Sequence, residues 1–216
     1  AVVLIGLGAL ALLVGGCSEE DCTMPPPEPT AAAFIGSETC GNCHNDTKAD
    51  GIYDQWLASG HPYKVVKIAG EAPTGSFPDF SAYPNDPINP PQGETWETVT
   101  YTIGGYYWKM RWIDADGWVV TSGAAELDAQ YNFATDSGYS AGYTTYHTGD
   151  EPGTKPYDCG QCHTTGWVAN ADPEDTEGNQ DGLAGIYGTF FAGGIHCEEC
   201  HGKGSLHAGD PTQYDM

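Results

Sequence analysis

Gly194-Ile195-His196-Cys197-Glu198-Glu199-Cys200-His201-Gly202-Lys203-Gly204-Ser205-Leu206-His207 contains the spacing C-x-x-C-H. On one helical turn, positions i, i+3 and i+4 share a face. Cys197 and Cys200 can therefore each form a thioether to one porphyrin vinyl group, while His201 sits under the iron as proximal ligand. The arrangement recurs twice, at Cys40-Gly41-Asn42-Cys43-His44 and at Cys159-Gly160-Gln161-Cys162-His163. With 7 histidines in 216 residues, chance placement of one directly after every pair is on the order of 10⁻⁵. Structural zinc also uses C-x-x-C pairs, but it takes them two at a time and needs no histidine after each. Three pairs would leave one stranded. The motifs therefore point to three covalently attached haem c groups.

Composition agrees with a chain that leans on cofactors. Only 39% of residues are hydrophobic, and 30 glycines and 15 prolines imply many turns and little regular structure. Large apolar cofactors would supply the core that such a chain lacks. The 30 acidic and 7 basic residues give a formal charge of −23. Nucleic acid, which requires a basic footprint, is excluded as a partner. Solubility, a salty milieu or cationic partners remain open.

Two further cysteines, Cys17 and Cys22, precede the motifs. Residues 1–16 form an almost unbroken apolar run ending Val14-Gly15-Gly16-Cys17, which reads as a secretory or lipoprotein-type segment over 1–17. Cys17 is then the expected lipid anchor. A retained N-terminal helix is the alternative, although sixteen residues fall short of the ~20 needed to span a bilayer. A Cys17–Cys22 disulfide is a third possibility. Residues 18–33 carry Glu19-Glu20-Asp21 and Pro25-Pro26-Pro27-Glu28-Pro29 and read as an extended tether. A single domain over 34–216 follows.

Within that domain, Tyr53, Leu57 and His61 share an i, i+4 row of a short helix, with His61 just past its end. A chain that needs sixth ligands makes His61 a candidate. Residues 72–91 read as loop. Residues 97–103 and 106–113 then alternate around Gly104-Gly105, a two-residue hairpin signal. That turn would set Ile103 opposite Tyr106, Tyr101 opposite Trp108 and Val99 opposite Met110. One apolar face would hold Val99, Tyr101, Ile103, Tyr106, Trp108, Met110 and Trp112. A third strand is expected at Trp118 to Thr121. Glu177, Asn179 and Asp181 echo part of a calcium loop, but Gly188 stands where the bidentate Glu belongs, so a solvated acidic loop is the better reading.

In this order, the three C-x-x-C-H segments resemble a family of exported multihaem cytochromes related to cytochrome c-554. The resemblance covers about residues 34 to 210. It is carried by the first motif with Trp56 and Ser59-Gly60-His61-Pro62, by the second with Thr164-Thr165-Gly166, and by residues 194–207. It implies closely packed haems with bis-histidine iron that pass single electrons. Some relatives assemble into extracellular haem filaments. The chain departs from the family in having three motifs where many relatives have four or more, and in Lys203 where proline is common. The expected fold is organised by haem and mostly irregular, with short α-helices and one small antiparallel β-meander at about 97–121.

His44, His163 and His201 are the proximal ligands. By the resemblance, His61, His147 and His207 are the distal ones, and His196 is the spare. Bis-histidine iron has no open position, so the expectation is an electron carrier rather than an enzyme. It would be exported to the periplasm or cell surface, since haem c is attached outside the cytoplasm. There it would be anchored by lipid or by the N-terminal helix and would serve redox proteins or an external acceptor. A homo-oligomeric filament subunit is one alternative. A haem enzyme reducing a small oxyanion, which needs five-coordinate iron, is another.

Overall fold

A computed structural model describes residues 31–48, 51–73, 88–106, 108–133, 140–172 and 174–214. The apolar segment, Cys17, Cys22 and nearly all of the tether lie outside the described residues. By internal contacts the chain divides into Ala1–Ala31 and Ala32–Met216. No helix among the described residues is long and apolar enough to cross a membrane.

The largest element of the second unit is a five-stranded antiparallel sheet. Its strands are β1 (Val65–Lys67), β2 (Tyr101–Gly104), β3 (Lys109–Ile113), β4 (Gln130–Asn132) and β5 (Gly142–Thr144), joined in sequence order as a meander. The meander is thus longer than the expected 97–121, and its central register differs from the expected one. Tyr101 pairs with Ile113, Thr102 with Trp112, Ile103 with Arg111 and Gly104 with Met110. The strands part after Gly104 and resume at Lys109, where the Gly105 N–H donates to the Lys109 carbonyl over 2.8 Å. The glycine pair still makes the turn, with φ of 73° and 108°, but it opens a longer connection than two residues.

This shift moves side chains between faces, because strand period is two. Tyr101, Ile103 and Ile113 pack with Val65, Val119, Tyr157 and Ile186 on one face. Met110 and Trp112 pack with Ile68, Val120, Tyr131 and Phe133 on the other. Trp108, expected on an apolar face, is 60% exposed at the turn. The pairing rule used for one covered face fails here because both faces are covered, so alternation carries no register. Trp112 and Ile113 are adjacent and both 0% exposed; each contributes about 1.5–3 kcal/mol of burial. Residues 118–121 do return beside β3, but as a single bridge, Ile113 with Val119, rather than a strand.

Among the described residues there are five short α-helices: α1 (Ser37–Gly41), α2 (Ile52–Leu57), α3 (Gly160–His163), α4 (Cys197–His201) and α5 (Ser205–Gly209). None would form in isolation, since helices below ~12 residues are marginal in water. Tertiary hydrogen bonds hold them instead. The Trp56 indole N–H on α2 donates to the Ile195 carbonyl over 2.7 Å. Two small pairs complete the fold, β6 (Thr164–Thr165) with β9 (Ala192–Gly193) and β7 (Val168–Ala169) with β8 (Gly188–Thr189). In the acidic loop, Asn179 accepts from Asn170, while Asp181 bonds Lys67 and the Tyr101 hydroxyl. These groups therefore face the protein rather than a common centre.

Candidate functional site

Each C-x-x-C-H segment is wound into a turn. The Cys40 carbonyl accepts from the Cys43 and His44 N–H groups at 3.0 and 2.9 Å. The Cys159 carbonyl accepts from Cys162 at 3.2 Å, and α4 spans the whole third motif. All six thiols are free, and Cys43, Cys159, Cys162 and Cys200 are exposed. The residue after the first cysteine points inward in every motif: Gly41, Gly160 and Glu198 are buried. A Cβ at Gly41 would meet the Tyr53 ring at 2.7 Å, and one at Gly160 the Trp167 ring at 1.9 Å. Two motifs thus use glycine to let an aromatic ring lie against the turn. The third places a carboxylate there.

That carboxylate joins the first and third motifs. Glu198 is 2% exposed. Its Oε1 accepts from Ile35 N–H at 2.9 Å and Gly204 N–H at 2.8 Å, and its Oε2 from Gly36 N–H at 2.7 Å. Ile35 and Gly36 lead into α1, and Gly204 leads into α5. Ser37 on α1 reinforces the joint, its Oγ accepting from Cys197 N–H at 3.0 Å. His196 completes it, with Nε2 3.0 Å from the Gly193 carbonyl and Nδ1 3.1 Å from Ser37 Oγ. The carbonyl can only accept, so Nε2 carries the proton and Nδ1 receives the Ser37 hydroxyl. Burial keeps this imidazole below its ordinary pKa. Both ring nitrogens of His196 are thereby occupied, and its ring lies 5.1 Å from Trp56. Burial, then the nearby Cys197 and Glu198, push the Cys40 thiol up to about 11.

Across the same joint, the His44 and His207 ring centroids are 6.3 Å apart. His207 Nδ1 is 2.7 Å from the Tyr214 carbonyl, which accepts its proton and leaves Nε2 for another partner.

The second motif sits against the sheet. His163 lines a cleft of about 170 Å³ with Tyr63, Lys64, Tyr106, Trp108, Lys109 and Arg111. Its Nδ1 is buried without a well-formed hydrogen bond. Burial pulls the imidazole below its ordinary value; a backbone contact at Lys64 opposes this, and the Lys64 and Arg111 charges add to it. Tyr63 and Tyr106 stack at 5.5 Å with nearly parallel rings.

His61 and His147 are not brought against a partner imidazole in the way His207 is. The His61 carbonyl accepts from Ile195 N–H at 2.9 Å, one residue from Gly194, whose N–H donates to the His163 carbonyl at 3.0 Å. His61 thus lies between the second and third motifs, with Nδ1 3.1 Å from Ser59 Oγ. His147, at φ 55°, holds Nδ1 2.7 Å from Asp150. In both, the visible bond uses Nδ1, as in metal-binding histidines whose second nitrogen is oriented by an outer partner.

The residues present fit haem c: thiols on single turns, each pair followed by an imidazole, and a second imidazole, His207, with its ring centroid 6.3 Å from that of His44. Sequence reading missed the part played by Glu198. The only signal was that Glu-Glu stands where the other motifs have Gly-Asn and Gly-Gln.

No protein-family model matches the chain, and no curated protein matches it. Three solved structures are similar at low identity. The outer cell wall cytochrome OcwA aligns at TM-score 0.48 and 18% identity, over 85% of this chain and 34% of that one. The undecaheme cytochrome from the S-layer of Carboxydothermus ferrireducens aligns at 0.46 and 23%, over 88% and 24%. The Wolinella succinogenes octaheme sulfite reductase MccA aligns at 0.42 and 22%, over 82% and 32%. The chain spans about a third or less of the length of each.

Proposed function

We propose that the protein is an electron carrier holding three covalent haem c groups, each with two histidine ligands. The observation that carries this reading is the His44–His207 pair at 6.3 Å beside a complete C-x-x-C-H turn. Cys40 and Cys43, Cys159 and Cys162, and Cys197 and Cys200 would hold the vinyl carbons. His44, His163 and His201 would be proximal, with His207 opposite His44. His61 and His147 are left for the other two. Haem supplies reversible one-electron chemistry between ferric and ferrous iron.

The chain itself orients the imidazoles: Tyr214, Ser59 and Asp150 fix Nδ1 of His207, His61 and His147. Glu198, Ser37 and His196 fix the spacing of two motifs. The chain would work outside the cytoplasm, where haem c is attached, tethered through Cys17 or its apolar segment and serving redox proteins or an external acceptor.

Intact mass measurement of the holoprotein tests the reading, with three haems expected. Low-temperature EPR completes the test, with low-spin ferric signals expected. A large high-spin signal would mark five-coordinate iron, the requirement of an oxyanion reductase, and would sink the carrier assignment.

A further inference from the structure

The less exposed charges beside the motifs differ in sign, while the cations next to the first and third, Lys48 on the Asn42 carbonyl and Lys203 after His201, are exposed and screened by water. Glu198 stands between Cys197 and Cys200, 2% exposed, and bonds only backbone N–H groups. Its charge reaches Cys40 of the first motif as well. The first and third motifs therefore share a buried anion with no cation bonded to it.

The second motif has the reverse. The whole chain carries only 7 lysines and arginines, yet Lys64, Lys109 and Arg111 line a cleft together with His163. Arg111 is held there by stacking on Tyr146 at 4.0 Å, and its Nε donates to the Gln130 carbonyl oxygen Oε1 at 2.8 Å. Two carboxylates lie near this motif, Asp158 beside Cys159 and Glu199 on the Gly166 N–H. Both are exposed, so water and salt screen them more than the half-buried arginine.

A buried anion favours the more positive, oxidised iron, and nearby cations favour the reduced one. We propose that Glu198, against Lys64 and Arg111, makes the three sites unequal, so that an added electron resides first at Cys159-Cys162-His163. This rests on the three-haem reading. The chain would then be a relay with a built-in resting place at the sheet, and the first and third motifs would act as its low-potential pair.

The test is an optical redox titration of the intact holoprotein at low ionic strength, with dithionite as the one-electron donor. Each transition converts one ferric iron to ferrous, and no bond is made or broken. In the double variant Lys64→Gln, Arg111→Gln, the highest-potential transition is expected to move down and the other two to stay. The change is on the order of tenfold in electron distribution per charge removed, or 59 mV. In Glu198→Gln, a lower transition is expected to move up. Loosened packing would not give shifts of opposite sign at different transitions.

Because Glu198→Gln can fail to fold, the double variant decides. If its highest transition stays in place, or a lower one moves instead, the proposal is overturned while three haems by mass leave the carrier reading standing. A chain without covalent haem overturns both.

Discussion

The joint between the first and third motifs and the seat of the second are built from different interactions. The joint is polar: one carboxylate, one serine and one imidazole bridge α1, α4 and the start of α5. The seat is a sheet with both faces covered, bearing an aromatic and cationic cleft. A polar joint tolerates little, since each buried N–H loses its full partner when the acceptor goes. A packed sheet spreads its cost over many contacts but is sensitive to volume. The first and third motifs thus have fixed spacing through hydrogen bonds, while the second has its surroundings set by side-chain packing.

Four substitutions or conditions probe this contrast. Trp112→Ala strikes the sheet core and is expected to cost about 4 kcal/mol in denaturant unfolding. Its low-spin signals for the joint should survive below the unfolding midpoint. Glu198→Ala strikes the joint and strands the Ile35, Gly36 and Gly204 N–H groups, at an expected cost of about 3 kcal/mol. It should alter the EPR of the first and third sites and leave that of the second, and uniform change would erase the contrast.

Gly160→Ala drives a Cβ into the Trp167 ring and is expected to cost about 2 kcal/mol by overpacking, with the second site perturbed alone. The smallest effect concerns pH. His196 is held below its ordinary value of 6.5 by burial, so the unfolded chain binds its proton more readily. Stability from this group is complete above 6.5 and is lost as pH falls through that value. Unfolding curves of the wild type and His196→Gln should therefore converge or cross on acidification from pH about 7 to about 5.

The motifs were legible because their chemistry is local. Cys197 to His201 needs only one turn of helix to align two thiols and an imidazole, and that turn is present. The end of α2 before His61 was legible for the same reason. The hairpin was not. Gly104-Gly105 does turn the chain, yet the pairing of Tyr101 with Ile113 depends on which side chains the rest of the protein covers. The later strands β4 and β5 were also missed, since three-residue segments rich in Tyr, Asn, Gly and Thr carry no period.

His196 shows how the sequence could count ligands without giving roles. Its spare status followed from the resemblance, but its function as a bridge required Ser37, 159 residues away, to be brought to its Nδ1. Glu198 was invisible for a similar reason: nothing near it in sequence says that a carboxylate inside the third motif will be buried.

By itself, the sequence determined the three C-x-x-C-H turns, the imidazole that ends each and the acidic balance, all properties of residues within five positions or of simple sums. Only the tertiary structure decided that the His44 and His207 rings come together, that Glu198 bonds the chain leading into α1, and that three of seven cations gather beside His163. Those outcomes depend on long-range burial. A buried carboxylate must find donors and a covered sheet must fill both faces, wherever in the chain the partners lie.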